Sequence, residues 1–426
     1  MERVGIGLLG YGTIGSGVGK LLRDCADDIR LATGKDVYLR RVLELPGFSH
    51  PDLDPALMVT DFREILGDPE IQIVVELIGG VDAALEFERE ALRAGKHVVT
   101  ANKQLIAQHG AELFDAAAAS GARLRFEASC AGAIPVIKAL RESLAAAQVD
   151  TIYGIVNGTT NYVLHAMTET GAQYDEVLRQ AQELGFAEAD PTEDVTGKDA
   201  AAKMAILSSI GFHSRTTLAD VEHEGITSIA AADIHHATSL GYVIKLLGVA
   251  KLIDGRMNVR VYPAFVPQDH PLASVAGAYN AVFLESDTFD KIMLYGPGAG
   301  SVPTASAIIG DLVSVVNTAP GGYVQNCTCY KDLEFFPNDD VVASFYVRMQ
   351  VTDRPGVLAQ ITPILAEEQV SIRSVWQSGR GDTAELVLVF HPTREAAVKA
   401  SLERISALDC VQGQPAVIRV EGEETR

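Results

Sequence analysis

Along residues 1–145, short apolar runs alternate with stretches of helical periodicity. The runs "RVGIGLLG", "VYLRRVLEL", "IQIVVELIGG", "KHVVTANK" and "ARLRFEASC" are of strand length, and "SGVGKLLRDCADDIRLA" and "DAALEFEREALRAG" repeat their apolar positions at helical spacing. Such alternation builds parallel βαβ units, so residues 1–145 are predicted to form a Rossmann-type doubly wound parallel sheet, an α/β fold. Residues 146–335 change texture. The Ala-rich stretches "DAAAKMAILSSIGF" and "ADIHHATSLGYVIKLLGVAKLI" read as long helices, and "NVRVYPAFV" and "NAVFLE" as strands, which predicts a second, α+β domain. After the turn-rich "FFPNDD" at 335–340, residues 342–426 read strand, helix, strand, strand, helix, strand, the βαββαβ order of a ferredoxin-like module.

Composition narrows the function. The 426 residues exceed one ordinary core and suggest about two or three domains. A net charge of −21 argues against nucleic acid and anionic membrane surfaces and leaves small molecules or proteins as partners. No apolar run reaches the roughly 18 to 20 residues that span a bilayer, and "MERVGIGLLG" lacks a signal peptide's cleavage region, so a cytoplasmic location is expected. Cys25, Cys130, Cys327, Cys329 and Cys410 are odd in number and irregularly spaced, which suits reduced thiols. The "CTC" pair at 327–329 has no second Cys/His pair nearby to complete a metal site.

Four stretches carry candidate chemistry. "GYGTIG" at 10–15 satisfies GxGxxG between a strand and a helix: a tight turn at Gly10, close pyrophosphate approach at Gly12, helix packing at Gly15, with Thr13 and Ile14 opening the helix. The plainer reading is a glycine-rich packing turn. Glu44, ending the second strand, is placed to hold the adenine ribose, which would favour NAD over NADP; a plain surface carboxylate fits the sequence equally. Lys103 in "VVTANKQLI" follows a strand's C-terminal end, where open α/β sheets bind ligands and where solvated turn lysines also occur.

In "GFAEADPTEDVTGKDAAAK" at 185–203, "TGKD" fits a capping box with Thr196 as N-cap and Asp199 three residues on. Asp199 and Lys203 lie one helical turn apart, and Lys203 has apolar neighbours at the start of a helix, a position suited to proton transfer. Capping alone would also account for Asp199. "GPGAG" at 296–300, ending in Gly300, is a second glycine-rich loop before a helix, read either as a cofactor contact or as a turn.

Together, "GYGTIG", "TANK", "EASCAGAIPVI", "NGTTNY", the acidic stretch, "EGITSI", "ADIHHATSLGYVIKLL" and "YGPGAGSVPTASAIIGDL" resemble homoserine dehydrogenase over residues 4 to about 315, and "VTDRPGVLAQI" at 351–361 resembles the opening of an ACT domain. The resemblance implies NADP- or NAD-dependent interconversion of homoserine and aspartate 4-semialdehyde. It implies Lys203 and Lys103 as the catalytic pair, with Lys203 exchanging a proton with the substrate's C4 oxygen. Glu188, Asp199, Asp194 and Thr159 would serve the substrate, and Gly10, Gly12, Thr13, Ile14, Gly15, Glu44, Thr100, Lys103, Gly185 and Gly300 the cofactor. Glu127, Cys130, Gly132 and Ile134 would offer mainly carbonyl oxygens to a monovalent cation, Na+ or K+. Asp353 and Gly356 would contact an amino-acid effector, with threonine expected, and pairing of ACT modules implies a homodimer or homotetramer.

Two departures stand out. Where many members meet a 2′-phosphate with arginine, this chain has Glu44, Leu45 and Pro46, and "ESDTFDKIML" lacks the glycines common in the loop before "YGPGAG". Two rival readings remain: a semialdehyde or amino-acid oxidoreductase of the same fold, with Cys130 as its nucleophile, and a non-catalytic nucleotide and amino-acid sensor.

Overall fold

The structure, a computed structural model, describes residues 1–318, 327–379 and 381–422. These divide into a first unit of residues 1–158, 200–222 and 279–332, and a second of residues 159–199, 223–278 and 333–426. The first unit opens with six strands, β1 (Arg3–Leu9), β2 (Asp36–Leu43), β3 (Met58–Val59), β4 (Ile71–Glu76), β5 (His97–Thr100) and β6 (Leu124–Arg125), and five helices, α1 (Thr13–Asp24), α2 (Ala26–Thr33), α3 (Phe62–Leu66), α4 (Asp82–Arg93) and α5 (Lys103–Ser120). The strands lie in the order β3-β2-β1-β4-β5-β6, all parallel. The direction of winding reverses between β1 and β4, which places the ligand crevice at their C-terminal ends.

The core under this sheet is not local in sequence. Ile6, Leu8, Ile73, Val75 and Val99 pack with Val18 and Leu22 of α1 and with Ala305, Ile308 and Leu312 of the helix Ser301–Asn317. Ser301 Oγ donates to the Thr13 carbonyl at 2.5 Å across 288 residues. The antiparallel strands Thr151–Ile155, Tyr279–Ser286 and Asp290–Pro297 and most of the helix Lys198–Phe212 complete the first unit.

In the second unit, Tyr242–Ile253 and Arg256–Pro267 form an antiparallel hairpin. Its two-residue turn, Asp254-Gly255, is left-handed at both positions (φ 50° and 75°), the backbone such a hairpin favours. The C-terminal module has the predicted order: strand Val342–Thr352, helix Val357–Glu367, strands Ile372–Gly379 and Thr383–Phe390, helix Glu395–Ser406, strand Val411–Val420. Its last strand pairs parallel with Arg256–Pro267 through Ala264 with Arg419 and Phe265 with Val420, so module and hairpin share one sheet.

Ion pairs reinforce that join. Arg260 and Arg419 reach Glu395 at 2.7 and 2.6 Å, with Arg260 and Glu395 each 2% exposed. Burial opposes the Glu395 charge, but Arg419 and Arg260 outweigh it and hold the carboxyl at about 2. Arg348 grips the fully buried Asp233 at 2.7 and 3.0 Å, and His236 meets Glu385 at 2.8 Å.

Three local expectations are corrected. "ADIHHATSLGYVIKLLGVAKLI" is a helix only over Ala231–Ser239; Gly241 turns left-handed (φ 84°) and the remainder is the strand Tyr242–Ile253. Its middle is buried on both faces, so its apolar run lacks the alternation that distinguishes a strand from a buried helix. Thr196 is not an N-cap: it ends the short helix Thr192–Val195, its hydroxyl donates back to the Thr192 carbonyl, and Gly197 (φ 83°) separates it from the helix starting at Lys198. Finally, "ESDTFDKIML" is a hairpin rather than a loop, with Asp290 (φ 62°) taking the left-handed position a glycine often fills.

Replacing Glu395 by Leu strips both guanidinium groups of their shared partner. Removing one side of a buried pair costs about 3–5 kcal/mol, and urea unfolding of Glu395→Leu is expected to show a loss of that size.

Candidate functional site

The glycine turn between β1 and α1 is built by missing side chains. Gly10 is left-handed (φ 91°), and a Cβ on Gly15 would lie 2.1 Å from the Gly10 carbonyl oxygen, so residue 15 must be glycine for α1 to start there. A Cβ on Gly12 would meet nothing within 4 Å, which leaves its backbone open at the mouth of the cleft. That cleft, of about 840 Å³, is lined by Gly10, Gly12, Glu44, Leu45, Pro46 and Thr60 among others. Glu44 is therefore no loose surface carboxylate: it accepts the Tyr11 N–H and lines the cleft beside Gly10 and Gly12. Gly300 (φ 116°) begins the helix whose Ser301 rests on Thr13, so the second glycine loop abuts the first.

A second recess of about 270 Å³ is lined by Ile14, Glu76, Gly79, Gly80, Asn102 and Lys103. Lys103 is the first residue of α5, set by Asn102, whose side chain accepts the Leu105 N–H and donates to the Gly80 carbonyl. Thr100 is fully buried; its hydroxyl donates to Glu76 at 2.8 Å and accepts the Asn102 N–H. Its side chain therefore supports the recess rather than facing a ligand. Glu76, also fully buried, accepts the N–H groups of Ile78 and Gly79 and so fixes the opposite wall. Burial pushes neighbouring Glu88 well above the usual carboxylate range, and Glu76 adds to the effect. Glu76 and Asn102 escaped the sequence reading, although "VVEL" ends its apolar strand in a carboxylate, a pattern that signals a buried anchor.

Lys203 lies in the helix Lys198–Phe212 and donates to the Val156 carbonyl at 2.7 Å. Cys130 is fully buried with its thiol directed at the Lys203 carbonyl at 3.9 Å, a poor posture for a nucleophile and evidence against the phosphorylating rival. The Glu127 carboxylate accepts the N–H groups of Ile137 and Lys138 at 2.8 Å each, while its own N–H donates to Asp311. Burial, then Asp311, pushes Glu127 up to about 7. Gly132 is left-handed (φ 59°), and a Cβ there would strike the Gly298 backbone at 2.5 Å.

In the second unit, the Thr159 hydroxyl lies 2.8 Å from the Phe186 carbonyl and 2.9 Å from Asp194, which it ties together. Asp199 is 4% exposed, whereas Glu188 and Gly185 are exposed. Asp190 accepts from Thr192 and Glu193 pairs with Lys198, both exposed, so the acidic stretch is not uniform. The sequence reading also missed Lys245. Hidden in the strand mistaken for a helix, it is 2% exposed, donates to Asn161 and the Val275 carbonyl, and is pushed down to about 8 by burial. Asp353 and Gly356 (φ 92°) lie between the strand Val342–Thr352 and the helix Val357–Glu367.

Three family models match: homoserine dehydrogenase over residues 135–313, the homoserine dehydrogenase NAD-binding domain over 10–127, and the ACT domain over 345–410. A homoserine dehydrogenase of Corynebacterium glutamicum is 42% identical, with the alignment covering 98% of this chain and 96% of that one. The chain belongs to the homoserine dehydrogenase family. A Bacillus subtilis homoserine dehydrogenase is 40% identical over 99% of both chains. The crystal structure of a homoserine dehydrogenase from Thiobacillus denitrificans superposes with a TM-score of 0.92 at 41% identity, covering 99% of each chain. A hyperthermophilic archaeal homoserine dehydrogenase in complex with NADPH superposes at 0.63 and 26% identity, covering 76% of this chain and 99% of its own.

As a homoserine dehydrogenase family member, the chain is an NAD(P)-dependent oxidoreductase acting on the CH–OH group, interconverting homoserine and aspartate 4-semialdehyde, and it carries an ACT regulatory domain. The non-catalytic sensor reading is set aside. The glycine turn fits the nicotinamide cofactor: helix N–H groups and the bare Gly12 backbone can take a pyrophosphate. Gly12→Ala should therefore leave thermal unfolding unchanged while weakening cofactor binding on the order of tenfold or more, read by titrating the fluorescence of reduced nicotinamide.

Proposed function

We propose that Lys203 and Lys103 carry the proton chemistry of homoserine oxidation and its reverse. Bound nicotinamide supplies hydride transfer at the substrate's C4. The chain's own part is to move the proton: Lys203 Nζ exchanges it with the C4 oxygen, and Lys103 holds the substrate and relays charge. The observation that carries this reading is where each lysine is set, Lys103 opening a capped helix and lining the recess, and the Lys203 amine held against the Val156 carbonyl. General acid–base help of this kind is worth about 10² to 10⁴ in rate. Asp199, Glu188, Asp194 and Thr159 are assigned to the substrate, and the hydrogen bonds that tie Thr159 to Asp194 and Phe186 support their acting together.

Glu44 favours NAD, because a 2′-phosphate would meet a like charge; the archaeal relative's complex with NADPH keeps both cofactors in the test. A monovalent cation is proposed at Glu127, Cys130, Gly132 and Ile134. The Glu127 carboxylate is occupied by Ile137 and Lys138, and among the described residues no cluster of His, Cys, Asp and Glu could hold a metal, so carbonyl oxygens would be the ligands. The working division is a nucleotide-binding part at 1–145, a catalytic and dimerisation part at 146–335 and a regulatory part at 342–426, with the helix Ser301–Asn317 packing on the first. Threonine is the proposed effector at Asp353 and Gly356, a homodimer or homotetramer the proposed assembly, and the cytoplasm the proposed location. Among the described residues no helix is long and apolar enough to cross a membrane.

Lys203→Ala should lower turnover of homoserine by about 10² to 10⁴ with cofactor affinity unchanged, followed as reduced-cofactor absorbance with NAD and NADP in parallel; an undiminished rate would refute the assignment. Threonine should inhibit the unmodified enzyme and give measurable heat in calorimetry, and Asp353→Ala should abolish both effects while leaving the uninhibited rate intact.

A further inference from the structure

A cavity of about 240 Å³ is lined by α5, which begins at Lys103, and by the helix that carries Lys203; Phe114 and Ser209 are their contributions, and Arg141, Cys327 and Cys329 add the polar wall. Arg141 is only 6% exposed. Its guanidinium sits 5.3 and 5.6 Å from the Phe114 and Phe126 ring centres, and its Nε has no hydrogen-bond partner among the described residues. A buried guanidinium so placed needs a counter-charge. Burial, then Arg125, pushes it down to about 10, and the first group opposing them in favour of its charge is the Cys327 sulfur, ahead of Glu142 and Asp311.

The two thiols are differentiated. Cys327 accepts hydrogen bonds from the Cys329 thiol and N–H and feels Arg141; against the cost of burial these hold it below the usual thiol range, which favours its thiolate. Cys329, donating to that sulfur, is pushed upward and stays protonated; its thiol also reaches the Ser209 carbonyl at 3.7 Å. One sulfur is thus a nucleophile and the other a resolving partner two residues away, and such spacing fits the Cα separation of roughly 4.4–6.8 Å that a disulfide needs. Both residues are partly exposed, which gives a small oxidant access.

We propose that Cys327 and Cys329 form a peroxide-responsive dithiol whose closure into a reversible disulfide slows the dehydrogenase. The Cys327 thiolate attacks one oxygen of hydrogen peroxide, forming the S–O bond of a sulfenic acid and releasing hydroxide, which takes up a proton to become water. The Cys329 sulfur then displaces the sulfenic oxygen, the S–S bond forms, and a second water leaves with the Cys329 proton. Two thiols are oxidised by two electrons and one peroxide is reduced. Closure removes the negative sulfur beside Arg141 and the 3.7 Å thiol contact with the Ser209 carbonyl, so the helix that carries Lys203 loses a contact in the wall it shares with α5. The effect on turnover rests on the lysine roles proposed above; the thiol chemistry does not.

The test uses the full chain, reduced, freed of reductant and treated with hydrogen peroxide. The peptide containing both residues should lose two hydrogens, alkylatable thiols should fall from five to three, and turnover should drop on the order of tenfold and return with dithiothreitol. Cys327→Ser and Cys329→Ser should keep their turnover under peroxide, and Arg141→Leu should slow alkylation of Cys327 at neutral pH. Absence of the link, a link to another cysteine, a link that leaves turnover unchanged, or equal inhibition of both serine variants would each overturn the proposal. If Lys203→Ala retained full turnover while the link still formed and slowed the unmodified enzyme, the lysine assignment would fail and the dithiol would stand.

Discussion

The contact on which the first unit depends is the approach of the Gly15 backbone to the Gly10 carbonyl, possible only because residue 15 has no side chain. It lets α1 leave β1 at once and aim its N-terminus along the crevice. The same need for close approach recurs at Gly17, where a Cβ would lie 2.7 Å from Ser301 Oγ. The helix Ser301–Asn317 can therefore lie directly on α1 and supply Ala305, Ile308 and Leu312 to the core beneath the sheet. The core beneath the parallel sheet thus draws on chain from both the beginning and the end of the first unit. Any change that displaces the late helix would be felt at Thr13, in the turn itself.

Buried carboxyl groups are the second organising device, and their environments differ. Glu76 accepts three hydrogen bonds and holds the loop opposite Lys103, while Glu88 behind it is pushed upward by burial and by Glu76. Glu127 and Asp311 stand together and are pushed to about 7 and about 6, burial being the largest cause for each. Glu395 moves the other way, because two guanidinium groups overcome its burial. Carboxyls facing N–H groups or one another set loops; carboxyls facing guanidinium groups join elements far apart in sequence.

How legible this was in the sequence depended on the reach of each constraint. The glycine turn and each βαβ unit are encoded within about 30 residues, and the βαββαβ module within the one contiguous run from Val342 to Val420, and they were read correctly. The capping box at Thr196 failed because the pattern of side chains was right while Gly197 imposed a left-handed backbone between them. The strand Tyr242–Ile253 failed because burial on both faces erased its alternation, and with it went any sign that Lys245 is buried. Asp233 with Arg348, 115 residues apart, and Arg260 with Glu395, 135 apart, could not be paired from sequence, since each half reads as an ordinary surface charge.

Those long-range pairs bear on how the ACT module communicates. It is not tethered by a free linker: Phe336 N–H donates to the Met257 carbonyl at 2.6 Å, and Asn258 bonds Asn338 at 2.7 Å. Its last strand extends the sheet of the hairpin, and Arg348, five residues before Asp353 on the same segment, holds Asp233 in the helix Ala231–Ser239. A ligand can shift an equilibrium only through contacts that differ between states. With a shared sheet and the Glu395 cluster joining module to hairpin, and Arg348 joining the module to the helix Ala231–Ser239, an effector of the kind proposed at the strand-to-helix turn would act by sliding packed elements. Swinging the module as a rigid body would break the Asp233 and Glu395 pairs, at a cost of several kcal/mol each, whereas a slide of the strand that carries Arg348 keeps them and passes the movement directly to that helix.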